Sequence, residues 1–427
     1  MTGVALVSIF AVLLAGRIPI AFALGISTLA FLLVFEPNVN LGTLPQKMFA
    51  GADSFTLTAI PFFVLAGEIM SRGGISKRLV GFAHTLVGHR RGGMGIVELV
   101  ASAFFASFSG SSIANSAGTG SITIPAMRRS GYPKGMAAAV ETSSSSLGAI
   151  IPPSIPMVVY GGIAGVSIGG LFVGGYVPAL AFGIGLAIVI RRVSIRLGLP
   201  VEVRSTARER LQSARESLPA LLLPVVIMGG ILSGMVTPTE AGALGVVYAF
   251  VVSFFVYREL TLKDMPQVLI NTAITTGVVM LVMTIANAFG WILAFEQIPT
   301  QLATLFTANI TQSWLLMLVI VVLLMIIGMV LDTVAAIIVL TPVLVPIAST
   351  AGIDPLFLGV IVTIALSLGV ATPPVGVCLF VTARIAETTI EDVSRAIMPF
   401  LAVLIGLLAL MALAPDVILF LPRLFGF

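Results

Sequence analysis

Charge is what this chain has least of. Only 9% of its 427 residues are Asp, Glu, Lys or Arg, 58% are hydrophobic, and the mean hydropathy is +1.15. A soluble domain carries about 25% charged residues, so a water-soluble globule is excluded and a polytopic membrane protein is expected. Cysteine occurs once, as Cys378, which excludes an intrachain disulfide and a cysteine-based metal site. Histidine occurs only as His84 and His89, both in a basic loop. No transition-metal site is therefore expected, and an intramembrane hydrolase or acyltransferase would lack a base for its nucleophile. The isoelectric point near 9.5 does not point to nucleic acid, because Arg and Lys sit between the apolar blocks, where cytoplasmic loops gather them. No basic stretch precedes residues 1–15 and no cleavage site is evident before Arg17-Ile18-Pro19, so a cleavable signal is not expected.

The apolar blocks have helical length, unlike the ~10-residue alternating segments of an outer-membrane barrel. One of them is duplicated. Thr142-x-x-x-Ser146-Leu147-Gly148-x-x-x-Pro152-Pro153 recurs 221 positions later as Thr363-x-x-x-Ser367-Leu368-Gly369-x-x-x-Pro373-Pro374. The same ungapped offset pairs Pro125 with Pro346, Gly131 with Gly352, and Ser111-Ser112-Ile113-Ala114 with Asp332-Thr333-Val334-Ala335. Duplicated apolar segments interrupted by Gly and Pro mark the binding site of a transporter.

The basic residues set the expected topology. They cluster at 72–91, 128–134, 191–215, 258–263 and 384–395, and none lies between Arg91 and Arg128 or between Lys263 and Arg384. Segment 94–127 is apolar, has basic flanks on both sides and is broken at Ser109-Gly110-Ser111-Ser112. It reads as a re-entrant hairpin entering from the cytoplasm. Segment 313–349 is broken near Asp332-Thr333, and its flanks 297–312 and 349–355 hold no basic residue. It reads as a hairpin entering from outside, so the two are inverted copies. The predicted fold is all-α, with two inverted-topology repeats at 1–190 and 218–427 and an Arg-rich cytoplasmic connector at 191–217 that also carries Glu202, Glu209 and Glu216. In the first repeat the scaffold spans are 3–15, 18–35 and 55–71, followed by hairpin 94–127, broken helix 135–165 and span 168–190. In the second they are 218–234, 240–257 and 266–289, followed by hairpin 313–349, broken helix 355–383 and span 397–420. Segment 3–35 reads either as one long helix or as two short crossings turning at Arg17. The match of Ala23-Leu24-Gly25 to Ala243-Leu244-Gly245 favours two.

Irregular backbone at membrane depth persists only where protein buries it or it lines a wet cavity. Proline disfavours helix at the preceding residue and donates no hydrogen bond. The helices arriving at Pro152-Pro153 and Pro373-Pro374 should therefore end near 148–151 and 369–372, with carbonyls left over. Such carbonyls suit a hard cation, which takes oxygen ligands. Ser111, Ser112 and Asn115 can add oxygens at one tip, and Asp332 and Thr333 at the other. Ser111 and Asp332 also stand where an N-cap would, so each tip presents a helix N-terminus, which favours anions. Cations at the carbonyl ends and an anionic substrate between the hairpins would share one pseudosymmetric site. The alternative is a set of kinks satisfied by neighbours, with Ser and Gly serving close packing.

Asp332 lies in a run without Lys or Arg. An embedded ionisable group is a functional candidate by default, here as a cation ligand or a group shaping the tip, with a protonated structural Asp as the alternative. Glu141 has no acidic counterpart, since Val362 takes its place; it either packs or takes part in coupling. Glu240, in Thr237-Pro238-Thr239-Glu240, caps a helix. Ser109, Ser154, Tyr160 and Gly376 are candidates to touch substrate, and Tyr160, like Asn287 and Trp291, has packing as its alternative.

These residues resemble the large, DctM-like membrane subunit of tripartite ATP-independent periplasmic (TRAP) transporters over essentially the whole chain. The resemblance rests on Phe108-Ser109-Gly110-Ser111-Ser112-Ile113-Ala114-Asn115, Ile124-Pro125-Ala126-Met127, Gly131-Tyr132, Ile150-Ile151-Pro152-Pro153-Ser154-Ile155-Pro156 and Tyr160-Gly161. In the second half it rests on Thr237-Pro238-Thr239-Glu240-Ala241-Gly242, Gly328-Met329-Val330-Leu331-Asp332 and Thr372-Pro373-Pro374-Val375-Gly376. It implies sodium-coupled import of a small organic acid (a C4-dicarboxylate, another carboxylate or a sialic acid) across the bacterial inner membrane. It also implies two partners, a small four-helix membrane subunit that is not expected to be fused here and a periplasmic substrate-binding protein. The implied mechanism is an elevator, in which hairpins and broken helices move against the scaffold. Ser111, Ser112, Asn115 and the turn from Gly148 to Pro152 and Pro153 match the family's first sodium-site segment. Asp332, Thr333 and the turn from Gly369 through Thr372 to Pro373 and Pro374 match its second. Glu141 departs from the small neutral residue the family would place there.

Each charge crossing the membrane potential is worth ~2.3 kcal/mol per 100 mV. Two sodium ions with a dianion would move no net charge, and with a monoanion they would. Because neither hairpin holds Lys or Arg, the carboxylate is expected on hairpin amides, hydroxyls and cations rather than on an Arg clamp. The rivals are a stand-alone sodium/dicarboxylate symporter or organic-anion antiporter, which use similar hairpins, and a pore, which suits two opposed sites less well.

Overall fold

Side-chain caps start many of the helices where the sequence places Ser, Thr or Asp. Thr206 with Glu209 and Thr237 with Glu240 form reciprocal capping boxes, which satisfy N–H groups that have no partner inside a helix. Asp354 accepts from Leu356 and Phe357 ahead of Pro355 in the first turn, and Thr389 accepts from Asp392. The computed structural model describes residues 2–53, 55–201, 203–309 and 312–427, so Glu202 of the connector lies outside it.

The first half contains α1 (Thr2–Ala15), α2 (Ile20–Phe35), α3 (Thr43–Ala52), α4 (Ala59–Arg72), α5 (Ile75–Val87), α6 (Gly93–Ser109), α7 (Ser112–Arg129), α8 (Lys134–Ser145), α9 (Ile155–Ala164) and α10 (Ile168–Arg196). The second contains α11 (Ala207–Leu232), α12 (Pro238–Val251), α13 (Met265–Phe295), α14 (Ile298–Asn309), α15 (Ser313–Gly328), α16 (Thr333–Thr350), α17 (Pro355–Gly369), α18 (Val377–Ala386), α19 (Ile390–Ala412) and α20 (Pro415–Leu424). Among the described residues there is no strand. Among the described residues six helices are long and apolar enough to cross a membrane, including α10, α11, α13 and α19.

α1 and α2 are separate helices that pack on each other through a turn at 16–19, with Arg17 in the left-handed region. The chain from 390 is two helices, α19 and α20, where a single span was predicted. Three further helices were not predicted: α3, α5 and α14. α5 carries Lys77, Arg78 and His84, and so its sequence reads as a loop. Nonetheless Ile75, Leu79, Val80 and Ala83 are buried on one face of it. α5 and α14 are each the short helix that precedes a hairpin, so the unpredicted pair obeys the same repeat.

The packing comes in matched pairs. The first arm of each hairpin lies on the leading half of its own broken helix: α6 on α8, and α15 on α17. The second arm lies on the trailing half of the other repeat's broken helix: α7 on α18, and α16 on α9. α10 packs on α17 as α19 packs on α8. Outside this interlocked unit, α2, α3 and α4 pack on α13, and α4 also packs on α12.

α7 and α8 are rich in Ser and Thr yet buried. Several of their hydroxyls return to the preceding helical turn: Ser116 donates to the Ser112 carbonyl, Thr142 to Ala138 and Ser143 to Ala139, at 2.8–3.0 Å. Each of these hydroxyls is thereby satisfied without water, as an apolar surrounding requires.

Candidate functional site

At the first tip, α6 ends at Ser109 and Gly110 turns the chain with φ 56. Ser111 is extended and its side chain accepts from the Ala114 N–H, capping α7. At the second tip, Asp332 caps α16 by accepting from the Val334 N–H at 3.0 Å. Both broken helices stop where the prolines demand. α8 passes through a 3-10 turn, Ser146–Ala149, before Pro152-Pro153, and α17 ends at Gly369 before Pro373-Pro374; both Pro-Pro bonds are cis. Each tip is tied to the restart of a broken helix. Ile155 N–H donates to the Gly110 carbonyl at 3.3 Å, and Gly376 N–H donates to the Met329 carbonyl at 3.1 Å. Ile155 and Gly376 are themselves 221 positions apart.

The approach of tip to break is backbone on backbone. A methyl group on Gly148 would sit 2.7 Å from the Ser111 carbonyl oxygen, and one on Gly369 would sit 2.6 Å from the Gly328 Cα. Only glycine fits at these two positions, which is why both copies keep it.

One cavity of about 680 Å³ opens between the tips and the outer helices. Ser109, Gly110, Ser111 and Ser112 line it from the first hairpin, and Asp332, Thr333 and Val334 from the second. Two helix N-termini, one from each repeat, thus border the same space. The outer wall adds Glu68 and Ser71 of α4, Lys77 of α5 and Thr275 of α13. Asn271 of α13 donates to Glu68 at 3.3 Å. The volume falls in the ~300–1,000 Å³ range of small-molecule sites. Helix N-termini, hydroxyls and a Lys suit an anion; Asp332 and Glu68 suit a cation beside it.

Residues 7–417 match the family described as the tripartite ATP-independent periplasmic transporter, DctM component. The chain belongs to that family. It is 41% identical over 404 residues to the C4-dicarboxylate TRAP transporter large permease protein DctM of Pseudomonas aeruginosa, covering 95% of this chain and 94% of that one. It is 38% identical over 413 residues to the sialic acid TRAP transporter large permease protein SiaM of Vibrio cholerae, covering 97% and 96%. Among solved structures, the YdaH transporter of Alcanivorax borkumensis superposes with a TM-score of 0.59 over 84% of this chain and 86% of that one, at 15% identity. That likeness concerns the fold alone. This DctM component is therefore a multi-pass membrane permease subunit and not an enzyme.

The cavity gathers Ser109, Ser111, Ser112, Asp332 and Thr333 from the expected set. Asn115 of the DctM component is instead turned into the hairpin: fully buried, it donates to the Ser102 carbonyl at 3.2 Å and hydroxyl at 2.9 Å. Helical geometry is the reason, since Asn115 stands one turn beyond Ser111 and faces the α6 arm. Tyr160 is also buried, against Gly359, and donates to the Pro355 carbonyl at 2.7 Å, so it packs rather than lines the cavity. Ser154 caps α9 and donates to the Ala149 carbonyl at 2.5 Å. Thr372 donates back to the Leu368 carbonyl at 2.6 Å. Gly148, Pro152, Pro153, Gly369, Pro373, Pro374 and Gly376 form the turns behind the tips. Lys77 and Glu68 were missed. An acidic residue inside the apolar block 55–71 was the available signal for Glu68. Asn287, donating to the Lys47 carbonyl at 2.7 Å, and Trp291, under Lys47, hold α3 on α13.

Proposed function

We propose that this chain is the sodium-coupled import subunit for a small organic acid of the carboxylate, C4-dicarboxylate or sialic-acid class, working in the bacterial inner membrane. Its partners in this reading are a small four-helix membrane subunit and a periplasmic binding protein that delivers the substrate. The observation that carries it is the single cavity bordered by two helix N-termini, one from each repeat, with Asp332 at one of them. The substrate carboxylate rests on the N–H groups and hydroxyls of Ser111, Ser112 and Thr333, with Lys77 facing it from the outer wall. Sodium sits at the oxygen-rich turns, with Asp332 as the charged group beside the second. The interlocked hairpins and broken helices are the part that moves, and the helices around α13 are the part that stays. Lys77 and Ser71 line the cavity beside the basic run 72–91, which supports a cytoplasm-open arrangement by the positive-inside rule.

The test is uptake of a labelled organic acid into proteoliposomes holding this protein and its small-subunit partner, with and without the binding protein and a sodium gradient. Uptake requiring both supports the reading. Uptake that is indifferent to the binding protein assigns the chain to stand-alone symport, and uptake indifferent to sodium removes the coupling ion.

A further inference from the structure

Two carboxylates lie buried in the first hairpin unit and take no part in the cavity. Glu98 of α6 and Glu141 of α8 are both fully buried and lie beside each other. Glu141 is well provided for: Thr119 donates to its Oε1 at 2.7 Å and Thr123 to its Oε2 at 2.8 Å. Glu98 is not: Thr123 lies beside it, but the Thr123 proton goes to Glu141, and neither Glu98 oxygen has a hydrogen-bond partner of its own. Among the described residues no ion pair reaches either carboxylate. The titratable groups acting on the pair are each other alone, and Glu141 in turn acts on the Cys378 thiol of α18. No Lys, Arg, His or Asp from α4, α5, α7, α10, α11 or α19 contributes.

The repeat supplies an internal comparison. At the positions 221 residues on, the second hairpin unit has Val319, which is exposed, and Val362, which is buried. The second repeat therefore folds with no carboxylate at either position. Two ionised carboxylates touching in a buried site repel strongly and lack the water that would screen them. Two acceptors in contact become a hydrogen bond only when one of them carries a proton. A metal ion fits less well, because the Thr119 and Thr123 hydroxyl protons are directed at Glu141, and no group of three or more His, Cys, Asp and Glu gathers among the described residues.

We propose that Glu98 and Glu141 form a proton site, one proton held between the two carboxylates, that leaves the first hairpin unit one shared negative charge there instead of two. Its location allows exchange. Glu98 lies in the second turn of α6 and Glu141 at the end of the second turn of α8, about 10 Å from helix ends that adjoin the basic loops. A row of polar side chains, Thr119, Asn115 and Ser102, lies beside the pair. This proposal stands independently of the substrate and sodium assignments.

The experiment is infrared spectroscopy of the full-length protein in lipid nanodiscs, with ¹³C-labelled glutamate to separate these groups from Asp332. The expected result is a protonated-glutamate carbonyl stretch worth one carboxyl per chain at neutral pH. It should vanish in Glu98→Gln and in Glu141→Gln, because the new amide donates to the remaining carboxylate. Should neither variant survive purification, the wild type titrated to alkaline pH decides: the signal should disappear as the labelled carboxylate signal grows. A spectrum without protonated glutamate at neutral pH overturns the proposal. So does a signal unchanged in both variants, or one that appears only when sodium is replaced by choline, which would make the pair a cation site.

Discussion

Ser367 donates its hydroxyl proton to the carbonyl of Ser146, its own counterpart 221 residues earlier, at 2.7 Å. The breaks of the two repeats therefore meet at the pseudosymmetry axis. Ser112 joins them, its hydroxyl 2.9 Å from that of Ser367. Because the Ser367 proton is already committed, Ser112 is the donor. Ser367→Ala strands a buried carbonyl and a buried hydroxyl, a loss of ~1–3 kcal/mol. Thermal unfolding in detergent should show a lowered midpoint, while Ser233→Ala, at an exposed helix end, should stay within ~0.5 kcal/mol of wild type.

Gly148→Ala and Gly369→Ala should each push a hairpin tip away from its break. The atoms met are backbone, which cannot step aside as a side chain would, so the cost is ~1–3 kcal/mol. Uptake should fall in both variants. Gly183→Ala, with open space around it, should leave stability and uptake intact; an equal loss there would remove the close-approach argument.

Asp332→Asn separates the two roles of that residue. Asparagine caps a helix as well as aspartate does, so α16 should remain folded. If the charge binds sodium, the sodium concentration for half-maximal uptake should rise about tenfold, equivalent to ~1.4 kcal/mol. An unchanged sodium curve would leave Asp332 as a cap alone.

Lys77→Gln tests the outer wall. Lys77 is exposed on the cavity side of α5, so solvent discounts its contact with an anion to roughly 1 kcal/mol. KM for the organic acid should rise about fivefold with kcat changed less. No change in KM would take Lys77 out of substrate recognition.

Asp264, just ahead of α13, accepts from the Thr261 hydroxyl at 2.6 Å and N–H at 2.9 Å. Those bonds, with Arg72 adding to them, hold its carboxyl below the ordinary range. A carboxyl lowered in the folded state adds stability above its unfolded value and loses it as pH falls through the lowered one. Asp264→Asn should therefore lower the thermal midpoint at neutral and alkaline pH and converge on wild type in acid, which flattens the acid side of the curve.

The hairpins and the broken helices were legible because proline and glycine act locally: Pro152 and Pro373 end helices whatever surrounds them. Ser111 and Asp332 were legible as caps for the same reason. The short helices α3, α5 and α14 were not, because their stability comes from faces packed on distant helices rather than from long apolar runs. The inward turn of Asn115 depends on Ser102 across the hairpin, and the outer wall at Glu68 and Lys77 depends on tertiary placement that spacing does not encode. Glu98 was overlooked because its significance lies in its partner, Glu141, on another helix.

The exchange of hairpin arms between repeats sets an order of assembly. When α7 leaves the ribosome, part of the surface that it finally rests on, α18, has not been made. The first hairpin must wait, with one face of its second arm uncovered, until nearly the whole second half has entered the membrane. Neither half can then complete its core alone, whereas two halves made as separate chains, cut in the connector, should find each other and close.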